Sequence, residues 1–392
     1  MGMQETLDQL LEDFVLAGVP GCALTVLHHG KELYTGYRGK ADLQTQTDIS
    51  ADTVYRVASC TKVVTAVAAM ILYERGRLLL DDSVAHYLPC FRDLSYQVCD
   101  GSGEIIRHPA TVSLTIRHLL TMTSGIPYAG KGTPTAVDYK EKLGDIYKLT
   151  NQQLAQRISE IPLEFNPGSH WKYGLGFDVL GAVIEVVCGM TLEEFFQKEI
   201  FQPLGMTDTT FFCTKELEKR KARTYRIHDG WTDITREPNI TETNGGKLQS
   251  GGGGLVSTLH DLSVLAGMLA QGGIWNGRRI LNSGTVELMG TNQLSGQPME
   301  DFKLMSIQAY PWYRGYGWSF AGRSMVCCRE AGSNGTIREF GWCGATGPYL
   351  LIDPQTELAV AYTMQTGPVI GGMQDYCHPR IRNTVYSLID KL

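Results

Sequence analysis

A chain of 392 residues that is 43% hydrophobic is long enough to bury one large core, or two that share a cleft. Its formal net charge of -6 leaves no basic footprint for nucleic acid, and no run of like charge marks an interaction tail. The longest apolar runs, such as Val63 to Leu72, fall well short of the roughly 20 residues that span a membrane, and the acidic, amphipathic start lacks the features of an export signal, so a cytoplasmic location is expected.

The first element expected is a helix over Gln4 to Leu16. It is followed by GCALTVLHHGKELYTGYRG, two alternating runs around His29-Gly30 that read as a β-hairpin. From Ser59 onward VVTAVAAMILYERG has the pattern of a buried helix, closed by Gly76 at its C-terminal cap. From about Asp81 to Ser250 helical periodicity dominates, best at Ile116 to Met122, Asn151 to Ile158 and Phe177 to Cys188. Ser250 to Gly254, SGGGG, reads as a flexible backbone turn, because no Lys-Ser/Thr follows to make it a phosphate loop. Thr258 and Asp261 have capping-box spacing for the helix LHDLSVLAGMLAQGG. Gly347 to Asp353 and Glu357 to Thr363 are strand-like, and a last helix is expected from about Pro379 to Leu392.

Strands at both ends of the chain are thus expected to meet in one antiparallel sheet flanked by helices, an α/β (α+β) architecture. Residues 1–80 and 251–392 would form a discontinuous sheet domain, and 81–250 an inserted, mainly helical domain, with the active site in the cleft between them.

The stretch VASCTK, Val57 to Lys62, carries the clearest chemistry. Ser59 opens a long apolar helix, and residues three apart share a helical face, so Lys62 can approach its hydroxyl. A serine needs a neighbouring base to attack at neutral pH. A lysine whose pKa is lowered by burial and by the helix N-terminus can be one, and the Ser59 backbone N–H can face a developing oxyanion. Cys60 and Thr61 project to other faces. The same S-x-x-K spacing recurs at Ser169 to Lys172, in a loop after Pro167-Gly168, and spacing alone does not separate the two copies.

Ala331 to Gly335 is a relaxed nucleophile-elbow pattern, but polar residues lead from it into a strand, so a hairpin turn is expected. The nine histidines include no H-E-x-x-H pair. The ten cysteines show no C-x-x-C pair and no zinc spacing, and are expected to be reduced and mostly buried, with a disulfide framework as the minor alternative because their number is even.

In order along the chain, Ser59 to Lys62, LTIRHLLTMTSGIP (Leu114 to Pro127), PGSHWKYGLGFDVLGAVIE (Pro167 to Glu185), SGGGGLVSTLHDL and FGWCGATGPYLLIDP (Phe340 to Pro354) resemble the serine β-lactamase-like hydrolases. Class C β-lactamases, family VIII carboxylesterases and penicillin-binding-protein-like enzymes belong to that group, and the resemblance implies a β-lactamase/transpeptidase-like fold. It also places Tyr173 as the phenol that shares proton transfer with Lys62, a phenolate held near the lysine being able to accept the Ser59 proton. The Ala345 N–H would be the second oxyanion donor. Leu175 stands where β-lactamases usually have Asn, and Trp342-Cys343-Gly344 replaces their Lys-Thr-Gly box, as in family VIII esterases. Trp342, Cys343, Gly344, Leu175 and Tyr128 are the expected substrate-binding residues, with Cys343 as strand filler rather than nucleophile. Glu164 does not fit the deacylating glutamate motif of class A enzymes, so deacylation would rest on Tyr173 and Lys62.

The resemblance therefore implies a serine hydrolase of small or medium carboxylic esters, with an ester or amide small molecule as its partner and no cofactor or metal. Acyl transfer through the same acyl-enzyme is the near alternative. β-Lactamase, D,D-peptidase and D-aminopeptidase activities rank lower, and a catalytically silent binding protein is the alternative of a different class. The presence of Ser59, Lys62 and Tyr173 together argues against the last.

Overall fold

A computed structural model describes residues 2–227, 230–235, 247–367 and 372–389. Its centre is an eight-stranded antiparallel sheet in the order Tyr316–Ser319, Gly322–Met325, Phe340–Gly341, Tyr349–Asp353, Leu358–Met364, Gly21–His28, Lys31–Asp42, Thr47–Asp48. The two ends of the chain meet in the middle of that sheet, with Cys22 opposite Met364 and His28 opposite Leu358. The hairpin at His29-Gly30 forms as expected, but Gly21–His28 is buried at every position up to Leu27 rather than on alternate ones. The reason is that both faces are covered. Cys22 Sγ donates to the carbonyl of Leu11 on the Met3–Leu16 helix, whereas Leu27, of opposite parity, meets the Leu259–Ala270 helix at Gly267.

The N-terminal helix is held by Leu7, Leu11 and Phe14, all buried against the sheet. The Leu259–Ala270 helix is capped by Thr258, whose hydroxyl accepts from the Asp261 N–H at 3.2 Å. Only half of the expected box forms: the Asp261 carboxylate turns away and accepts from Asp208 N–H and the Thr209 hydroxyl. The last helix starts at Met373 and runs to Ile389, so it begins before the expected Pro379, which lies inside it. Buried contacts of Gln374, Cys377 and His378 extend it upstream, and they outweigh the backbone hydrogen bond that proline forfeits. Positions 390–392 of that expected helix lie outside the described residues.

Between residues 81 and 250 the described elements are helices and two small ribbons, Ser95–Cys99 with Ile105–Pro109 and Tyr225–Ile227 with Trp231–Asp233. The three expected helices are found at Ile116–Leu120, Asn151–Ser159 and Gly176–Cys188. Ala331 to Gly335 belongs to the connection between the paired strands Gly322–Met325 and Phe340–Gly341, which contains a helical turn at Cys328–Ala331 rather than a tight hairpin turn. All ten cysteines are free thiols, but only Cys22, Cys60, Cys343 and Cys377 are buried, against the expectation that most would be. Among the described residues no helix is long and apolar enough to cross a membrane.

Candidate active site

Ser59 lies in a short 3₁₀ turn, Ala58–Cys60, that runs directly into the Thr61–Glu74 helix. The preceding residue, Ala58, has φ +42°, a conformation that a side chain disfavours and that surrounding contacts must enforce. Those contacts are visible. Val57 N–H donates to Leu255 O at 3.1 Å, Leu255 N–H donates to the Thr61 hydroxyl at 3.2 Å, and Gly344 packs so closely that a Cβ there would sit 2.4 Å from Val57 O.

Lys62 is fully buried. Its Nζ donates to Ser59 Oγ at 3.2 Å, to the Tyr128 hydroxyl at 3.3 Å and to Gly252 O at 2.5 Å. Burial lowers its pKa to about 8, and the nearby Asp178 carboxylate limits the fall. Lys62 Nζ also stands 4.7 Å from the Tyr173 ring centroid.

Tyr173 lies in the loop that precedes the Gly176–Cys188 helix, and its hydroxyl accepts from Trp342 Nε1 at 2.9 Å. Burial pushes this phenol well up, against the opposing pull of hydrogen bonds from Ser59 and Trp342. Burial thus favours the neutral phenol of Tyr173 over a phenolate, while it draws the Lys62 amine down toward neutrality.

Ala345 is exposed on a turn closed by Gly347 N–H to Gly344 O at 2.9 Å. Thr346 Oγ1 ties the turn to Arg56 O at 2.9 Å, and Gln374 Nε2 donates to Gly344 O and Ala345 O at 2.9 and 3.2 Å. Ser59, Ala345, Tyr128 and Leu175 all line one cleft of about 540 Å³, whose walls also carry Tyr139, Tyr147, Leu143 and Leu248. The arrangement places a buried amine, a phenol and an exposed backbone turn around one hydroxyl, the set of parts that acyl transfer through a serine requires.

The family model described as Beta-lactamase matches residues 7–375. The chain belongs to that family. It is 30% identical to esterase EstB of Burkholderia gladioli over 95% of this chain and 93% of that protein. It is 32% identical to the ML-236A carboxylate methylbutanoyltransferase mlcH of Penicillium citrinum over 61% of this chain and 56% of that one. Among solved structures, EstCE1, described as a hydrolase with promiscuous acyltransferase activity, superposes with a TM-score of 0.78 at 25% identity, covering 97% of this chain and 100% of its own.

In this Beta-lactamase-family chain the second S-x-x-K copy stands apart. Ser169 is exposed and donates to Asn166 O at 2.7 Å, while Lys172 pairs with Glu164 at 3.3 Å. Trp342 is 5% exposed and stands behind Tyr173, with Cys343 and Gly344 also buried; the cleft wall is formed by Tyr128 and Leu175 instead. Cys343 Sγ lies 2.9 Å from the Tyr313 hydroxyl, and burial pushes both its thiol and that of Cys60 up, which leaves them neutral.

Two groups escaped the sequence reading. One is Gly252, whose carbonyl meets Lys62: the SGGGG turn is not loose but pinned, with Gly251 O accepting from Thr65 Oγ1 at 2.7 Å. The other is Asp178, a buried acid in the mostly apolar helix GFDVLGAVIEVVC, whose second acid, Glu185, is only half-buried. An acid set among the apolar residues of such a helix was the available signal, since burying one demands partners.

Proposed function

We propose that this chain is a serine hydrolase that forms an acyl-enzyme on Ser59, with small or medium carboxylic esters as substrates. The observation that carries the reading is the fully buried Lys62 amine, 3.2 Å from Ser59 Oγ and with its pKa drawn down to about 8. In its neutral form Lys62 takes the Ser59 proton as Oγ attacks the ester carbonyl carbon. The oxyanion so formed is received by the backbone N–H groups of Ser59 and Ala345. As the tetrahedral adduct collapses, the neutral Tyr173 phenol gives its proton to the departing alkoxide and is reprotonated by the Lys62 ammonium. Water then repeats the sequence on the acyl-Ser59 ester, releasing the acid and restoring the serine.

The esterase name of the 30% identical relative supports ester substrates, as does a cleft wall rich in tyrosine and leucine with Leu175 at the usual asparagine position. Acyl transfer to an alcohol, intercepting the same intermediate, is supported by the name of the Penicillium citrinum relative.

The test is hydrolysis of a panel of p-nitrophenyl esters beside a chromogenic cephalosporin, with wild type and Ser59→Ala. Ester turnover that vanishes in the variant, and a phosphonate mass increment on Ser59, are expected. Unchanged turnover in Ser59→Ala, or an adduct on Ser169, would sink the mechanism; cephalosporin turnover without ester turnover would reverse the substrate order.

A further inference from the structure

Asp178 sits in the first turn of the Gly176–Cys188 helix, 4% exposed, and no step of the proposed chemistry uses it. Its Oδ1 accepts from the Ser250 hydroxyl at 2.5 Å and from the Gly252 N–H at 3.3 Å. The carbonyl of that same Gly252 receives Lys62 Nζ at 2.5 Å. Gly252 is therefore gripped on its N–H side by the acid and on its C=O side by the amine. The fit leaves no space, because a Cβ on Gly252 would lie 2.5 Å from Asp178 Oδ2.

We propose that Asp178 is the positioning residue of this site: clamped on Gly252, it holds the carbonyl that fixes Lys62 beneath Ser59 and supplies the negative charge against which the buried amine takes up a proton. This inference rests on the reading of Ser59 and Lys62 as nucleophile and base.

Lys62 meets Ser59, Tyr128 and Gly252 O by hydrogen bond and the Tyr173 ring by its face, and Cys60 and Cys343 lie within electrostatic reach. Asp178 is the carboxylate acting on it among the described residues. From the other side, Asp178 is faced by Ser250, Gly252 N–H and Lys62, with Tyr128 and Tyr147 within electrostatic reach. Burial works against charge on both members, pushing the amine down and the carboxyl up, while their mutual Coulomb attraction acts in the opposite sense on each. An acid placed only to complement the helix N-terminus would sit in solvent there and would have no reason to aim at the Gly252 peptide.

A purely structural acid and a positioning one differ in what they do to the pH profile. Asp178→Asn keeps the shape and an acceptor oxygen but removes the charge. Without that charge the amine loses its proton more easily, so the acid limb of log kcat/KM against pH should move down by about one pH unit or more, and the plateau should fall as the base weakens. An acid limb at the wild-type position in folded Asp178→Asn would overturn the proposal. Gly252→Ala keeps both charges but drives a methyl into the carboxylate, and it decides the matter if Asp178→Asn does not fold. A plateau at least about tenfold lower is then expected, and a folded Gly252→Ala enzyme with wild-type kcat/KM would overturn the clamp. Ser59→Ala is run beside both. Turnover remaining there refutes the nucleophile assignment, whereas an inert Ser59→Ala with an unmoved Asp178→Asn limb refutes only the role of Asp178.

Discussion

Lys62 must be neutral to accept a proton, and its pKa of about 8 lies below the usual lysine value because burial penalises the ammonium. The sign of the pH dependence follows. Below about pH 8 the neutral fraction drops tenfold for each pH unit, so log kcat/KM for an uncharged ester should rise with a slope near one and level off above that point. A flat profile from pH 6 to 9 would remove Lys62 as the base. The pair itself was legible in the sequence because its spacing is local: three residues along a helix fix a shared face before any tertiary contact forms. Tyr173 was legible only through a family resemblance. What was not legible lies across long separations. The Trp342 indole reaches Tyr173 across 169 positions and Asp178 reaches Gly252 across 74, and no periodicity encodes such a meeting. Trp342 was accordingly expected in the cleft wall, and it stands behind the phenol.

Elements were read best where one physical rule dominated. The Ser59 helix, buried from Thr61 to Leu72 and followed by Gly76 in the left-handed region, is such a case. Boundaries failed where packing overruled a local preference, as at Pro379 inside the last helix. The turn that carries Ala345 shows why glycine is required at one of its positions. A Cβ on Gly344 would lie 2.4 Å from Val57 O and 3.2 Å from Ala58 Cβ, so Gly344→Ala must push the turn away from the strained residue that precedes Ser59. The backbone N–H groups of Ala345 and Ser59, proposed to receive the oxyanion together, would then be displaced from each other. Loss of one oxyanion donor costs about 10²–10³ in kcat, so Gly344→Ala should lower kcat at least about a hundredfold with KM little changed. Steady-state kinetics on a p-nitrophenyl ester checks this, and a variant that alters KM alone would mean that the turn binds substrate rather than the oxyanion.

At the scale of the whole molecule, the sheet is closed by the two ends of the chain, and the last helix touches both the core and the site. Its two contacts separate stability from catalysis. On the core side Tyr376 packs edge-on to Phe14 at 5.9 Å, and Phe14, fully buried, also meets Tyr362 at 6.0 Å. Phe14→Ala should therefore cost about 3–5 kcal/mol in urea unfolding while the folded enzyme keeps its kcat, because none of these rings touches the cleft. On the site side Gln374, 3% exposed, donates to the carbonyls of Gly344 and Ala345. Gln374→Ala leaves the Ala345 carbonyl without its donor and the Gly344 carbonyl with the Gly347 N–H alone, a loss of about 1–3 kcal/mol. It also frees the turn whose Ala345 N–H is proposed to receive the oxyanion, so kcat should fall by about tenfold or more at a temperature where the variant is fully folded. The comparison is decisive because Phe14→Ala is the more destabilised of the two and yet the more active. Equal kcat in both variants would show that the terminal helix serves the sheet alone, and that the Ala345 turn is held rigidly enough by Thr346 and Gly347 without it.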